Sequence, residues 1–167
     1  MPVRQATVDE AADVAGVLRD AFEPYRPQYT PAAFAATTPS AEELRRRWSE
    51  GPVWVSLQDG RIAGTVSAVA RGQALYMRSM AVHPGCRGSG HGRRLVAAVE
   101  RHAVAIGHRA VMLSTTPFLH PAIALYERCG FRRTPDGPAD LEGTPLFTMT
   151  KALPGSPAVS RKVQRGA

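Results

Sequence analysis

Apolar positions follow two rhythms along this chain. Val14, Leu18 and Ala21/Phe22 recur at helical spacing, which predicts an amphipathic helix. Thr7 and Glu10, just before it, have capping-box spacing, and Val3–Val8 reads as a short strand leading in. Ser40 and Glu43 form a second capping box, opening a short helix that ends near Gly51. Glu42–Arg46 and Glu43–Arg47 are favourable pairs on that helix, so the run Arg45–Arg47 reads as a solvated face. Between the two helices, residues 23–39 lose the pattern. Pro24, Pro27, Pro31 and Pro39 exclude a long helix there, and Tyr25, Tyr29 and Phe34 make the segment unusually aromatic.

The middle of the chain changes to strand-like runs. Val53–Gln58 and Arg61–Ala70 flank Asp59-Gly60, a strong hairpin signal, and Arg71-Gly72 leads into Ala74–Val82. This predicts an antiparallel meander. The helical rhythm returns with Leu95, Val99, Ala103 and Ile106 on one face, ending at Gly107. A short strand at Ala110–Ser114, a helix over residues 119–128, and strands at Phe131–Thr134 and Leu146–Lys151 complete the reading. The unit from Ala74 to Ser114 is strand, helix, strand, which joins parallel strands, whereas the meander is antiparallel. The sheet is therefore expected to be mixed, with helices on both faces.

Composition narrows the class. The 167 residues suit one domain with an adequate core, and 44% hydrophobic with 21% charged residues excludes wholesale disorder. We expect a single domain over residues 1–153 and a flexible basic tail over 154–167, rich in Pro, Gly and Ser. No apolar run is long enough for a membrane helix, and the first residues lack a secretory pattern, so a cytoplasmic location is expected. Cys86 and Cys129 make no disulfide framework or metal pattern, and the histidine spacings make no metal site either. Of the net charge of +7, the tail carries +3. A mildly basic body suits an anionic ligand. Aromatic residues do not interleave with the arginines, so nucleic acid is not an expected partner.

The segment richest in chemistry lies between Ala74–Val82 and the helix that follows. It reads Val82-His-Pro-Gly-Cys-Arg87-Gly88-Ser89-Gly90-His91-Gly92. A glycine-rich turn opening a helix directs backbone amides and the positive helix end at one point, a cradle for phosphate. Arg87, Arg93 and Arg94 add cationic groups. No lysine follows Gly92, so a nucleoside-triphosphate loop is excluded, and the GxGxG spacing after a meander fails the dinucleotide fingerprint.

The loop resembles the acetyl-CoA loop of the GNAT acetyltransferase superfamily, whose pattern is [QR]xxGx[GA]. A second segment, His120-Pro-Ala-Ile-Ala-Leu-Tyr126-Glu-Arg-Cys-Gly130-Phe131, resembles that superfamily's A-x-x-LY-x-x-x-GF run. The resemblance covers about residues 3–151. It implies a three-layer αβα sandwich around a mixed, mostly antiparallel seven-stranded sheet. Acetyl-CoA is then expected in the V between Ala74–Val82 and Ala110–Ser114. Backbone groups of Met80, Ala81 and Val82 would hold the pantetheine arm, and the amides of Arg87, Gly88, Ser89, Gly90, His91 and Gly92 the pyrophosphate. Tyr126 matches the tyrosine that donates a proton to the departing sulfur, a reading favoured over the core packing that its helix face also suits.

The implied activity is transfer of an acetyl group to a primary amine by direct attack, with no metal. The acceptor is expected to be a small molecule or peptide, and a homodimer is compatible with the family. The chain departs from the pattern in two places. Residues 75–79 carry no acid to serve as base, which leaves ordered water or His120, and Leu119 stands where many members place asparagine. The missing acid also supports a rival reading, a non-catalytic acyl-CoA-binding module. The aromatic segment 23–39 is expected to line the acceptor pocket or to plug the core.

Overall fold

A computed structural model describes residues 2–155, and most of the expected basic tail lies outside the described residues. Seven strands form one sheet: β1 Val3–Gln5, β2 Val53–Gln58, β3 Arg61–Arg71, β4 Ala74–Val82, β5 Ala110–Thr115, β6 Arg132–Thr134 and, after a two-stranded excursion, a C-terminal strand Phe147–Ala152. The excursion is β7 Asp140–Leu141 paired with β8 Thr144–Pro145, which makes the C-terminal strand β9. The sheet order is β1-β2-β3-β4-β5-β9-β6, and β4–β5 is its only parallel pair. The expected mixed, mostly antiparallel sheet is thus observed.

Alternation along β2 sets the layers. Trp54 belongs to the core beneath helix α4 (His91–Ala105), whereas its neighbour Val55 packs with helix α1 (Ala11–Phe22) on the opposite face. Leu95, Val99 and Ala103 of α4 are fully buried, as their spacing predicts. Ile106 is not part of that face: it lies just past the helix end and is 52% exposed. Gly107, in the left-handed region at φ 85°, ends the helix, and the His108 amide closes the turn on the Ala103 carbonyl at 2.9 Å. At the β2–β3 hairpin, Asp59 and Gly60 both take positive φ, 51° and 75°, the turn that matches strand twist.

Two local expectations change. The first strand stops at Gln5, because Val8–Glu10 turns into a 3-10 helix with the Glu10 carboxylate accepting from the Thr7 amide at 3.0 Å. Residues 23–39 are not a loop. They form a 3-10 helix, Glu23–Gln28, and helix α2, Pro31–Thr37. Pro24 and Pro31 sit in first turns, where a missing N–H leaves nothing unsatisfied, and the Thr30 hydroxyl caps α2 by accepting from the Ala33 amide at 3.1 Å. Helix α3, Ala41–Arg46, starts at the expected Ser40 cap. Glu43 turns back to the Ser40 hydroxyl at 3.2 Å, while Glu42 and Arg46 form their expected pair at 3.6 Å.

The chain returns from α3 into β2 through Gly51. Its backbone is extended, so any residue suits its φ, but a Cβ there would run into the Ala68 carbonyl of β3. We predict that Gly51→Ala destabilises the fold by about 1–3 kcal/mol, the usual penalty of overpacking, read as a lower urea midpoint. A midpoint equal to wild type would show that β3 yields freely there.

Candidate active site

The site is built on a break in the sheet. β4 and β5 pair in parallel only from Ala74↔Ala110 to Met77↔Leu113. Beyond that point β4 stays with β3, reaching Val82↔Gly64, while β5 stays with β9, reaching Thr115↔Phe147. The register of β4 on β3 shifts between Thr65 and Ser67, and Ser79 takes φ 52°. This is a bulge in β4, which bends the strand away from β5. Met80, Ala81 and Val82 consequently lack a β5 partner, and the halves of the sheet diverge around a cavity of about 750 Å3.

One end of the cavity is the start of α4. Gly88 and Gly90 hold φ of 85° and 82°, a left-handed conformation that other residues rarely adopt, and Gly90 is the residue from which α4 begins. The first helical amide with an intrahelical acceptor is that of Arg94, bonded to the Gly90 carbonyl at 3.1 Å. The preceding amides of His91, Gly92 and Arg93 are free in the manner of any helix start. Arg94 folds back over this turn, with Nη2 donating to the Ser89 carbonyl at 2.6 Å, and its Nε is buried without a partner. Gly92 lets α4 approach α5 (His120–Arg128), since a Cβ would stand 2.7 Å from Leu125 Cδ2.

His91 serves the loop in two ways. Its amide faces the turn, but its ring is 1% exposed and points into the fold. Nε2 lies 2.8 Å from Gln58 Oε1, and Nδ1 bonds the Ser56 hydroxyl. Gln58 Oε1 can only accept, so Nε2 carries the proton and the neutral Nδ1 accepts from Ser56. Burial, and secondarily the charge of Arg94, holds the imidazole below the ordinary histidine value. The pair thus ties the phosphate-type turn to β2.

Tyr126 is 5% exposed and edge-on to Phe131, with ring centroids 5.9 Å apart, yet it also lines the cavity. Core packing and a site position are both true of it. Burial first, then the neighbouring Cys129 and Tyr29, pushes its phenol well above the ordinary value, so the hydroxyl keeps its proton. Leu119 also lines the cavity. His120 does not: it is exposed at the first turn of α5. Among the described residues no group of three or more His, Cys, Asp or Glu could hold a metal ion, and no helix is long and apolar enough to cross a membrane.

The far end of the cavity is closed by the segments that sequence left open. Tyr25 and Tyr29 from the 3-10 segment face it, as do Leu141 and Leu146 from the C-terminal part. Phe34 instead packs with Tyr29 and Ala33 in a small core that takes in Leu141 and Phe118. Thr30 fastens these segments together, its amide donating to Thr144 Oγ1 at 3.0 Å and its hydroxyl to the Glu142 carbonyl at 2.6 Å. Residues more than a hundred positions apart thereby rejoin the two halves of the split sheet.

Arg47 and Arg78 also line the cavity; sequence reading allows Arg45–Arg47 as a binding patch but prefers a solvated face, and it does not single out Arg78. Arg47 lies apart from the solvated pattern of its exposed neighbours Arg45 and Arg46. Its guanidinium is half-buried, and burial, then the charge of Arg78, pushes its pKa down. One signal was available. Leu75 and Met77 are the buried alternate positions of β4, which sets Arg78 on the opposite face of an interior strand.

The profile of the Acetyltransferase (GNAT) family matches residues 16–131, and the chain belongs to that family. It is an N-acetyltransferase of the kind that uses acetyl-CoA and acts on amines. It is 26% identical over 135 residues to the Uncharacterized N-acetyltransferase YjgM of Escherichia coli (strain K12), covering 77% of this chain and 80% of that one. To N-acetylaspartate synthetase of Danio rerio it is 35% identical over 82 residues, 48% of this chain but only 29% of that protein. Among solved structures, PaiA N-acetyltransferase of Thermoplasma acidophilum in complex with coenzyme A has a TM-score of 0.75 at 16% identity, covering 90% of this chain and 98% of that one. A GNAT-family acetyltransferase from Staphylococcus aureus Mu50 gives a TM-score of 0.75 at 15% identity, over 91% and 98% of the two chains. At these identities the structural likeness is one of fold.

The burial of His91 has a measurable consequence. Its folded pKa lies below that of the unfolded chain, so the unfolded state takes up the extra proton as pH falls. We predict that this contribution to stability is complete above about pH 6.5 and is lost as pH drops below it. Urea unfolding at pH 7.5 and 5.5 should show a smaller midpoint loss on acidification for His91→Gln than for wild type. Equal losses would contradict the assignment.

Proposed function

We propose that this chain transfers the acetyl group of acetyl-CoA to a primary amine by direct attack within a ternary complex. The observation that carries the reading is the split of β4 from β5 next to the free amides of α4. The residues present suit coenzyme A at both of its polar parts. The unpaired edge of Met80, Ala81 and Val82 can receive the pantetheine arm as an added strand would be received. The turn from Arg87 to Gly92 offers amides, two left-handed glycines and the orphaned Nε of Arg94 to a pyrophosphate.

Bound acetyl-CoA supplies an activated acyl carbon whose leaving group is a thiol. The chain's own residues then have three tasks. A backbone amide of the bulged stretch near Met80 or Ala81 is placed to donate to the carbonyl oxygen as negative charge grows there. As the new C–N bond forms and the C–S bond breaks, the sulfur needs a donor, and Tyr126 holds a protonated hydroxyl in the cavity for it. The amine proton is the third. Among the described residues no Asp or Glu lines the cavity. The proton therefore leaves through water and backbone carbonyls, and the acceptor is taken up as the neutral amine.

The same absence of acid favours the second reading, an acyl-CoA-binding module, and kinetics separate the two. Gly90→Asp sets a carboxylate into the turn, and its Cβ would crowd Arg94 Nη1 at 2.9 Å. We predict micromolar acetyl-CoA binding for wild type in calorimetry (about −8 kcal/mol near 1 μM) and none for this variant. Unchanged affinity would refute the site. Tyr126→Phe should lower kcat by roughly a hundredfold in a thiol-release assay and leave acetyl-CoA affinity within about twofold. Equal turnover would return Tyr126 to packing alone, and binding with no turnover for any amine would favour the module.

A further inference from the structure

The cavity carries more positive charge than a CoA site uses. Arg87, Arg93 and Arg94 cluster at the α4 end. Arg47, just past α3, and Arg78 of β4 line the same cavity, as do Tyr25, Tyr29 and Tyr76. Their charge is not balanced within the fold. Arg78 Nη2 donates to Glu50 Oε1 at 3.1 Å, but its Nε is buried with no partner. Arg47 has no side-chain hydrogen bond or ion pair among the described residues, and Glu43, its expected helix partner, is turned to Ser40. Of the two half-buried guanidinium groups only Arg78 is bonded to a carboxylate, while Glu50 and Glu43 act on Arg47 through space without touching it. Two cations so placed repel each other, and a buried donor without an acceptor costs free energy, unless an anion completes the set.

We propose that Arg47 and Arg78 form an anion subsite at the acceptor end of the cavity, and that the acceptor is a small primary amine carrying a carboxylate. This rests on the acetyl-transfer reading above. A carboxylate matches the planar fork of a guanidinium, and two forks converging from different elements would fix its orientation. Position supports the same class. Arg78 precedes Met80 by two residues across the Ser79 bulge, so it belongs to the same short stretch of β4 that, in the acetyl-transfer reading, faces the reacting carbonyl. The Thr30 tie to Glu142 and Thr144, with Tyr29 and Leu141 packed beneath it, encloses this end and favours a small acceptor over a folded protein. The three tyrosines supply walls for a short carbon skeleton.

The test pairs amines that differ only in the anion. A panel of amino acids, their carboxamides and the matching aminophosphonates is assayed by thiol release with acetyl-CoA, beside a calorimetric Kd for acetyl-CoA. We expect kcat/KM at least tenfold higher for the best carboxylate than for its amide. The amide has the more acidic amine, so a site without charge recognition would favour the amide instead. Arg47→Gln and Arg78→Gln should each cut the carboxylate-to-amide ratio at least tenfold while the acetyl-CoA Kd stays within twofold. Glu50→Gln should move the ratio the other way, because it removes the carboxylate bonded to Arg78, and it guards against a variant that merely misfolds. A preference for phosphonates over carboxylates would overturn the carboxylate assignment. Amides acetylated as well as carboxylates, or acetyl-CoA bound with no amino acid turned over, would overturn the subsite and leave the CoA reading standing. No acetyl-CoA binding would overturn both.

Discussion

The structure depends on one interrupted ladder. Parallel strands usually pair along their shared length, since each unpaired amide or carbonyl inside a protein costs free energy. Here β4 and β5 part after Met77 and Leu113, because the bulge at Ser79 turns β4 away while β5 remains with β9. The break creates the cavity and leaves a row of backbone groups without partners. It also sets β4 directly ahead of the Gly88–Gly90 turn, so the unpaired strand edge and the free helix amides face one volume. A ligand with an amide-bearing arm and a pyrophosphate would satisfy both. The rest of the fold stabilises that arrangement: α1 and α4 cover opposite faces of the meander, and His91 fixes the turn to β2 through Gln58 and Ser56.

A split sheet needs something to limit the split. The hydrogen bonds of Thr30 to Glu142 and Thr144 link the α1–α2 side to the β7–β8 hairpin. Tyr29 adds an apolar joint, edge-on to Phe118 with ring centroids 4.9 Å apart. The cavity is therefore open in its backbone chemistry but bounded in size. Its charge is one-sided as well, with arginines and, among the described residues, no carboxylate on its walls. That one-sided charge is what the proposed anionic co-substrate and uncharged amine require.

Much of this was legible before any coordinates. The meander, the crossover and the caps at Ser40 and Gly107 follow from local chemistry, and each appears where its residues stand. The phosphate-type turn was legible because glycines, helix start and arginines are contiguous. The segment over residues 23–39 was misread as loop, because proline punctuation looks alike whether it ends a helix or opens one. Arg47 was misread because its run satisfies an i,i+4 rule, which cannot tell which residue of a short helix turns inward. The hairpin β7–β8 and the Thr30 tie were hidden in sequence, since their partners are brought together only by the tertiary fold.

The central claim is that the unpaired edge of β4 and the start of α4 together hold acetyl-CoA. Amide hydrogen exchange, followed residue by residue with and without acetyl-CoA, tests it most directly. The account predicts slowed exchange within Met80–Val82 and Gly88–Arg93 on binding, with the β2–β3 hairpin unchanged. Binding that leaves both segments exchanging at their free rates would contradict it.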